Sequence, residues 1–270
     1  CSRATLIPTG RLGFLPLHAT QSARRVVWSY APNARATLVA RRIATESRER
    51  RLMLVSNPDG SLPHADSEAR AAERAFGAGI QAVISGADAL PLRVELAMQD
   101  ASVWHFATHG RWGGDAPLRS HLGLANGERM TLVRILELKV HARLVILSAC
   151  DSGLAGRRMP DEVVSFPAGL LRAGVGGVVS SMWPVQDLST ALIITRFYQE
   201  WLAQDDDPAG ALAKAQWWMS QTTNHELAQW IHRQGDTFGD AALWFLLAPH
   251  RRARPFADPH FWAGFYYTGA

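Results

Sequence analysis

Residues 103–110 read VWHFATHG and residues 143–153 read RLVILSACDSG, and each is a short apolar run that ends in polar and reactive side chains. Similar runs occur at residues 26–28, 52–55 and 177–182, separated by segments of helix length. Runs of this length that are rich in β-branched and apolar residues are typical of buried strands. Their alternation with helices predicts an α/β fold with a mostly parallel central sheet and helices on both faces.

The segments between these runs carry helical patterns, several of which start with a capping residue. They cover residues 65–76, 88–98, 161–172, 188–203 and 208–219. Residues 261–267, FWAGFYY, resemble a last strand whose aromatic side chains belong to the core. The sequence has no internal repeat and no low-complexity tract, and a single domain is the default for an α/β chain of 270 residues.

The composition excludes several classes of protein. Hydrophobic residues make up 47% of the chain and charged residues 19%, which excludes disorder and supplies enough apolar material for a covered sheet. The net charge is +4, but the basic residues are scattered, so no direct nucleic-acid partner is expected. No apolar stretch approaches membrane-spanning length, so no membrane partner is expected either. Two cysteines, Cys1 and Cys150, form no disulfide framework and favour a reducing, cytoplasmic setting.

Two of the strand-like runs lead into a histidine and a cysteine. His109 follows the first run and Cys150 follows the second. Functional side chains collect at the carboxyl ends of parallel strands, so His109 and Cys150 face each other if these strands are neighbours. A histidine beside a thiol can remove its proton and activate it as a nucleophile. The backbone amides of Gly110 and Cys150 could bind the oxygen of a tetrahedral intermediate, as an oxyanion hole does.

A lone cysteine at a strand end is more often a small core residue than a nucleophile. The polar neighbours Ser148, Asp151 and Ser152 argue against a dry core position for Cys150, and His109 has the matching location. The pattern therefore favours a Cys/His dyad. His105 is interpreted as a packing or supporting residue, because in-strand histidines of a covered sheet are usually satisfied core groups.

The remaining histidines do not indicate a metal site. His225 and His232 are spaced wrongly for a zinc helix motif, and no cysteine or carboxylate joins them at ligand spacing. No metal and no cofactor is predicted.

Several motifs of this sequence resemble those of the CHAT peptidases, caspase-like domains that are often attached to tetratricopeptide repeats. The resemblance rests on THG at 108–110, LSACDSG at 147–153 and SMWPVQDLST at 181–190. Further matches occur in order along the chain: LIPTG at 6–10, LPLHA at 15–19, YAPNA at 30–34, DEV at 161–163, FY at 197–198, ALAKAQ at 211–216 and FWAGF at 261–265. Pro167 and Gln186 depart from the family pattern, and they bear on the substrate pocket rather than on the dyad.

The resemblance implies a caspase-like three-layer sandwich and a cysteine endopeptidase acting on proteins or peptides. In this sequence His109 would be the base, Cys150 the nucleophile, and Gly110 and Cys150 the oxyanion amides. It also implies activation by an attached sensor or repeat region, in a bacterial signalling or defence pathway. Residues 1–270 are therefore expected to be one peptidase domain excised from a longer chain.

The substrate-binding residues are predicted from charge. Asp151 and Asp187 are candidates to pair with a basic side chain just before the scissile bond. Helix capping is the plainer interpretation of Asp187, which begins an apparent helix. Trp183, in the same motif, is the third predicted substrate contact.

Two other functions stay open at this point. A caspase-like shell can serve as a catalytically silent interaction module, since a fold does not guarantee its chemistry. The same nucleophile and oxyanion hole also serve other thiol enzymes, such as acyltransferases. An isolated domain is expected to be sluggish, because a regulatory region would order the loops at residues 113–119 and 156–160.

Overall fold

A mostly parallel sheet of eight strands organises the part of the chain that the structure describes. The structure is a computed structural model, and it describes residues 2–20, 26–46, 49–111, 113, 117–148, 165–203, 207–248 and 250–270. The strands of the main sheet are β1 (Ser2–Leu6), β2 (Val26–Tyr30), β3 (Leu52–Ser56), β4 (Ile80–Ser85), β5 (Val103–Ala107), β9 (Leu144–Leu147), β10 (Gly177–Ser181) and β11 (Phe265–Gly269). A small antiparallel sheet contains β6 (Gly110–Arg111), β7 (His121–Gly123) and β8 (Arg129–Thr131).

The strand order of the main sheet is β1-β2-β11-β10-β9-β5-β3-β4. Within the described residues every neighbouring pair is parallel except β10 and β11. The predicted neighbourhood of the strands that precede His109 and Cys150 is confirmed, because β5 and β9 pair in parallel with Phe106 opposite Leu147.

Helices cover both faces of this sheet. They are α1 (Ala34–Glu46), α2 (Ala65–Phe76), α3 (Pro91–Asp100), α4 (Leu132–Glu137), α5 (Phe166–Ala173), α6 (Asp187–Ala203), α7 (Pro208–Gln221), α8 (Asn224–Arg233) and α9 (Ala241–Leu247). Alternate strand residues point to opposite faces. Leu52 and Leu54 accordingly pack in a cluster with α2, α6, α7 and α8, whereas Met53 and Val55 pack with α1, α3, α4 and α5. The predicted three-layer α/β sandwich is confirmed.

Several element boundaries differ from their predictions for local reasons. The helix expected at 88–98 begins at Pro91, because Gly86–Asp88 forms a 3-10 turn before it. The helix expected at 161–172 is described from Phe166, capped by the Ser165 hydroxyl, with Pro167 in the first turn; residues 161–164 lie outside the described residues. A first-turn proline sacrifices no helical hydrogen bond.

The sequence pattern predicts the last strand at residues 261–267, but the strand begins four residues later. β11 begins at Phe265, because Pro259–Phe261 forms a 3-10 turn that is capped by the Asp258 side chain. The aromatic side chains of β11 belong to the core as predicted, since Phe265, Tyr266 and Tyr267 are all buried.

The end of α5 supplies a prediction about stability. Gly174 ends this helix with a φ of 111°, and a Cβ atom there would lie 2.2 Å from the Val140 carbonyl oxygen. Gly174→Ala should lower the free energy of unfolding by about 3 kcal/mol or more, because left-handed strain and a backbone clash add. Gly127→Ala is the matched control, since Gly127 has a φ of 76° but open space around it, and should cost about 1 kcal/mol. Urea unfolding of both variants measures the difference, and equal losses would contradict the clash.

Candidate active site

His109 lies where β5 leaves the main sheet. It is two residues beyond Ala107, the last residue of β5, and it directly precedes β6. Its carbonyl oxygen accepts a hydrogen bond from the Gly123 amide at 2.7 Å, and the neighbouring Thr108 hydroxyl donates to the Gly123 carbonyl, also at 2.7 Å. The small sheet therefore fixes the backbone of His109, while the imidazole stays half-exposed, at 50%.

The predicted nucleophile lies outside the described residues, as does its neighbour Asp151. The description of this part of the chain ends at Ser148, one residue beyond β9. The Ser148 amide donates to the Phe106 carbonyl at 3.2 Å, which continues the pairing with β5 past the end of β9. The chain thus leaves β9 toward Cys150 at the same edge of the sheet at which it leaves β5 toward His109.

Two residues that the sequence analysis did not single out contact the His109 ring. The Ser61 hydroxyl lies 2.6 Å from His109 Nε2, and an Asp59 carboxylate oxygen lies 3.8 Å from the same nitrogen. Ser61 also donates from its hydroxyl and from its amide to Asp59 Oδ1, at 2.7 and 3.1 Å. Asp59, Ser61 and His109 therefore form one polar cluster, with both partners on the same side of the imidazole.

The segment that carries these two residues is a turn directly after β3. Residues 57–60 read NPDG, a sequence typical of a tight turn because proline fixes φ and glycine tolerates a positive φ. Gly60 has a φ of 75°, and its amide donates to the Asn57 carbonyl. Asn57 ties the turn down, since its amide donates to the Ala107 carbonyl of β5 and its side chain accepts from the Leu62 amide. The turn signal could have been found in the sequence.

The electrostatics of Asp59 favour the ionised carboxylate. Partial burial acts to raise its pKa, but hydrogen bonds from the Ser61 side chain and amide and the charge of His109 outweigh burial, so the pKa is lowered. Because the Ser61 hydroxyl donates its hydrogen to Asp59, its oxygen is left to accept from His109 Nε2–H. This assignment leaves Nδ1 as the basic nitrogen of the ring in its neutral form.

The described substrate-binding candidates, Asp187 and Trp183, are held by different parts of the fold. Asp187 is the first residue of α6, and its carboxylate accepts the His64 amide at 2.9 Å, so it is tied to the end of the segment that carries Asp59 and Ser61. The Trp183 indole donates to the His260 carbonyl at 3.0 Å and packs against Gly264. Trp183 is thus joined to the C-terminal segment. The substrate roles of both residues stay predictions.

Gly110, the predicted partner in the oxyanion hole, is the first residue of β6 and pairs with Leu122 of β7. It lies beside His109 in sequence and is held by the same small sheet. Its role stays a prediction.

No group of three or more His, Cys, Asp or Glu side chains is arranged to hold a metal ion in the part of the chain that the structure describes. Over the same residues, no helix combines the length and the apolar character needed to cross a membrane.

Comparisons with known proteins agree with this architecture. The family described as CHAT domain matches residues 2–270. No curated protein sequence matches the chain. Saccharomyces cerevisiae separase, in its complex with securin, is similar in structure, with a TM-score of 0.60, 12% sequence identity and coverage of 78% of this chain and 14% of separase.

Two gingipain structures are similar as well. The Arg-specific cysteine proteinase gingipain R (RgpB) has a TM-score of 0.51 at 11% identity, over 78% of this chain and 52% of that one. The complex of Porphyromonas gingivalis RgpB pro- and mature domains has a TM-score of 0.50 at 11% identity, over 71% and 50% of the two chains. This chain therefore spans about half of the gingipain chains and a small part of separase. At such identities the likeness establishes the fold, and the predicted caspase-like architecture is confirmed.

Proposed function

Since this chain belongs to the CHAT domain family, we propose that it is a cysteine endopeptidase that hydrolyses protein or peptide substrates through His109 and Cys150. The observation that carries the proposal is the parallel pairing of β5 with β9, Phe106 opposite Leu147. His109 follows β5 by two residues, and Cys150 follows β9 by three residues in the sequence. The segments that follow β5 and β9 leave the sheet at the same edge, where a base and a nucleophile can meet.

The proposed reaction proceeds in two stages. His109 Nδ1 takes the proton of the Cys150 thiol, and the thiolate attacks the carbonyl carbon of the scissile peptide bond. The amides of Gly110 and Cys150 stabilise the resulting oxyanion. The C–N bond breaks as His109 returns the proton to the leaving amine, which leaves a thioester on Cys150. His109 then takes a proton from water, and the oxygen of that water attacks the thioester carbonyl carbon. The C–S bond breaks, the acid is released, and His109 returns the proton to the Cys150 thiolate.

The cluster of Asp59 and Ser61 supports the role of His109 in this scheme. Ser61 accepts from Nε2–H and so holds the tautomer that keeps Nδ1 free to accept a proton. The lowered pKa of Asp59 keeps a negative charge 3.8 Å from Nε2, and that charge favours the imidazolium formed when the thiol is deprotonated.

The substrate preference follows from the acidic groups around the site. Asp151 and Asp187 would attract a basic side chain just before the scissile bond, with Trp183 as a further contact. One similar structure, gingipain R, is an Arg-specific proteinase. Because the Asp187 carboxylate already accepts the His64 amide, it would offer its second oxygen to such a side chain.

Control by a second protein region is part of the proposal. The loops at residues 113–119 and 156–160 adjoin the proposed site in sequence, although residues 114–116 and 156–160 lie outside the described residues. A sensor or repeat region would act on these loops. The similar separase structure is a complex with a partner protein, securin. Activity of the 270-residue domain should therefore rise when its regulatory region is supplied, and full activity without any partner would contradict this part.

A peptide library tests the proposed function. The wild-type domain and Cys150→Ala are incubated with the same library, and cleavage sites are read by mass spectrometry. Cleavage by wild type alone supports the endopeptidase, whereas equal products from both proteins would refute it. A silent interaction module would give no Cys150-dependent product in any condition, including after addition of the regulatory region.

Acyl transfer is tested on the same thiol. Cys150 is trapped with a peptide-based electrophile and, in parallel, with small acyl donors, and the rates are compared. Preference for the peptide supports the peptidase, because binding of residues around the scissile bond accelerates the reaction at the thiol. Preference for the small donor would overturn it.

A further inference from the structure

His105, four residues before His109 in the sequence, is the centre of a buried polar cluster. The residue lies in the middle of β5, and its side chain is inaccessible to solvent. His105 Nε2 lies 3.1 Å from Glu68 Oε2 and 3.2 Å from the Ser148 hydroxyl, and Nδ1 lies 2.9 Å from the Tyr198 hydroxyl. One imidazole therefore contacts side chains from three other segments.

The direction of the hydrogen bonds follows from the partners. Burial, assisted by the charge of Glu68, raises the pKa of Tyr198 well above its usual range, so its hydroxyl keeps its proton and donates to His105 Nδ1. His105 Nε2–H then donates toward Glu68 and Ser148. The Ser148 hydroxyl donates in turn to the Phe106 carbonyl at 3.3 Å. Every member of the cluster is hydrogen-bonded.

The three partners come from segments that follow or precede residues of the proposed site in the chain. Glu68 is in the first turn of α2, which follows the segment carrying Asp59 and Ser61. Tyr198 is in α6, whose first residue, Asp187, accepts the His64 amide. Ser148 follows β9 and precedes Cys150 by two residues. His105 itself lies on the strand that leads to His109, so the cluster joins β5, α2, α6 and the residue that follows β9.

Packing alone does not account for such a cluster. Replacement of buried charged or polar groups by apolar side chains of similar volume is often neutral or stabilising. A fully hydrogen-bonded buried network does, however, favour one arrangement of the elements that contribute to it. In this protein the network would favour one relative position of the ends of β5 and β9.

We propose that His105, with Glu68, Tyr198 and Ser148, is a positioning cluster that sets where the chain leaves β9 toward Cys150 relative to His109. The proposal rests on the proposed function, because it assigns these residues a role in the reaction of Cys150. They act through the backbone and do not touch the substrate. Removing one hydrogen bond of the cluster should therefore lower kcat strongly and change KM little, since small displacements of reacting groups reduce rates strongly.

Two variants each delete one hydroxyl from the cluster. Ser148→Ala breaks the link to the chain before Cys150, and Tyr198→Phe removes the donor to Nδ1. Each should lower kcat by about tenfold to a hundredfold, as substitutions of supporting residues typically do, with KM changed by less than about twofold. Thr195→Val is the matched control, because Thr195 is a buried α6 residue whose hydroxyl, among the described residues, bonds the Ala191 carbonyl of its own helix and no member of the cluster. His105→Ala is avoided, since it would leave Glu68 buried without its partner.

A second measurement is independent of peptide cleavage. The rate of Cys150 alkylation by iodoacetamide is followed from about pH 3.5 to 9, a range that covers both the lowered pKa typical of a histidine-paired thiol and the pKa of a free cysteine, with peptide mapping to separate Cys150 from Cys1. Ser148→Ala and Tyr198→Phe should shift the midpoint toward higher pH, in the direction that His109→Ala shifts it. Thr195→Val should leave the midpoint in place, and thermal unfolding confirms that each variant is folded.

The outcomes separate the two proposals. Absence of Cys150-dependent cleavage by the wild type, with and without the regulatory region, would refute the peptidase, while the alkylation profiles would still test the positioning cluster. Alkylation midpoints and kcat values of both cluster variants equal to those of Thr195→Val would overturn the cluster. If Tyr198→Phe fails to fold, Ser148→Ala decides the test.

Discussion

His109→Ala is expected to lower kcat for peptide hydrolysis by about 10²- to 10⁴-fold, the usual contribution of a positioned general base and acid. The imidazole acts twice in the proposed reaction, on the thiol and on the leaving amine, so its loss slows both steps of acylation. Initial rates on a peptide identified from the library measure the effect. Cys150→Ala should show no covalent turnover at all, because it removes the atom that forms the thioester.

Two controls sharpen this result. His225→Ala replaces a histidine on α8 whose ring bonds Gln229 of the same helix, and it should stay within about twofold of wild type. Added imidazole should restore part of the activity of His109→Ala, since the half-exposed side chain leaves a space open to solvent. A His109→Ala enzyme with wild-type kcat would exclude this residue as the base.

The fold could be predicted from the sequence where strands are long and apolar. Residues 52–55 and 144–147 are continuous apolar runs, and residues 103–107 are apolar except for His105, because both sheet faces are covered. All three are strands in the structure. The strands of the small sheet were not predicted, since β6 has two residues and β7 and β8 have three each. Runs this short carry no measurable periodicity.

The residues of the site could be predicted from the sequence only where they closely follow a strand. His109 was found because it follows an apolar run, and that signal is local in the sequence. Asp59 and Ser61 belong to the turn at residues 57–60 and its continuation, where the local pattern predicts only a turn. Their chemical meaning depends on β3 lying beside β5, with Ser56 opposite Ala107. Strand order is a long-range property, so no local pattern could place the Asp59 carboxylate near His109.

The dependence of contacts on long-range strand and helix positions also explains the interpretation of His105. From the sequence it is an in-strand histidine of a covered sheet, and a satisfied core position is the natural expectation. The structure agrees that it is buried and hydrogen-bonded, but its partners come from α2, α6 and the residue after β9. Alternation along β5 puts His105 on the same face as Val103, which packs with α2 and α6. The sequence could predict that face only if the helix positions were already known.

Asp59→Asn should lower kcat about fivefold, because it removes a charge near the developing imidazolium but keeps an oxygen that can accept from Ser61. The effect is that of a solvated ion pair, since the Asp59 and His109 side chains are 53% and 50% exposed and 3.8 Å apart. Ser61→Ala should have the larger effect, about tenfold to a hundredfold, because it breaks the only described hydrogen bond to the His109 ring. Asp66→Asn, an exposed carboxylate in the first turn of α2, is the matched control.

The pH dependence of the Asp59→Asn effect has a definite sign. A carboxylate with a lowered pKa stays charged through the neutral range, and its contribution is lost only as the pH falls through that pKa. The ratio of wild-type to Asp59→Asn activity should therefore be constant above about pH 5 and should approach one in stronger acid. A ratio that rises steadily from neutral to acidic pH would contradict the assignment.

Combining the two substitutions distinguishes how Asp59 acts. If Asp59 acts by orienting Ser61, which in turn holds the ring tautomer, Asp59→Asn should have no further effect once Ser61 is alanine. If it acts through charge alone, its fivefold effect should persist in the Ser61→Ala background and should shrink as salt is added. The predicted fivefold effect corresponds to the second case, because asparagine keeps an oxygen that can accept from Ser61. The 2.7 Å bond from Ser61 to Asp59 and the 2.6 Å bond from Ser61 to His109 make the first case the alternative, since one hydroxyl joins both groups. A strictly additive double variant, insensitive to salt, would exclude both routes and with them any role of Asp59 in the action of His109.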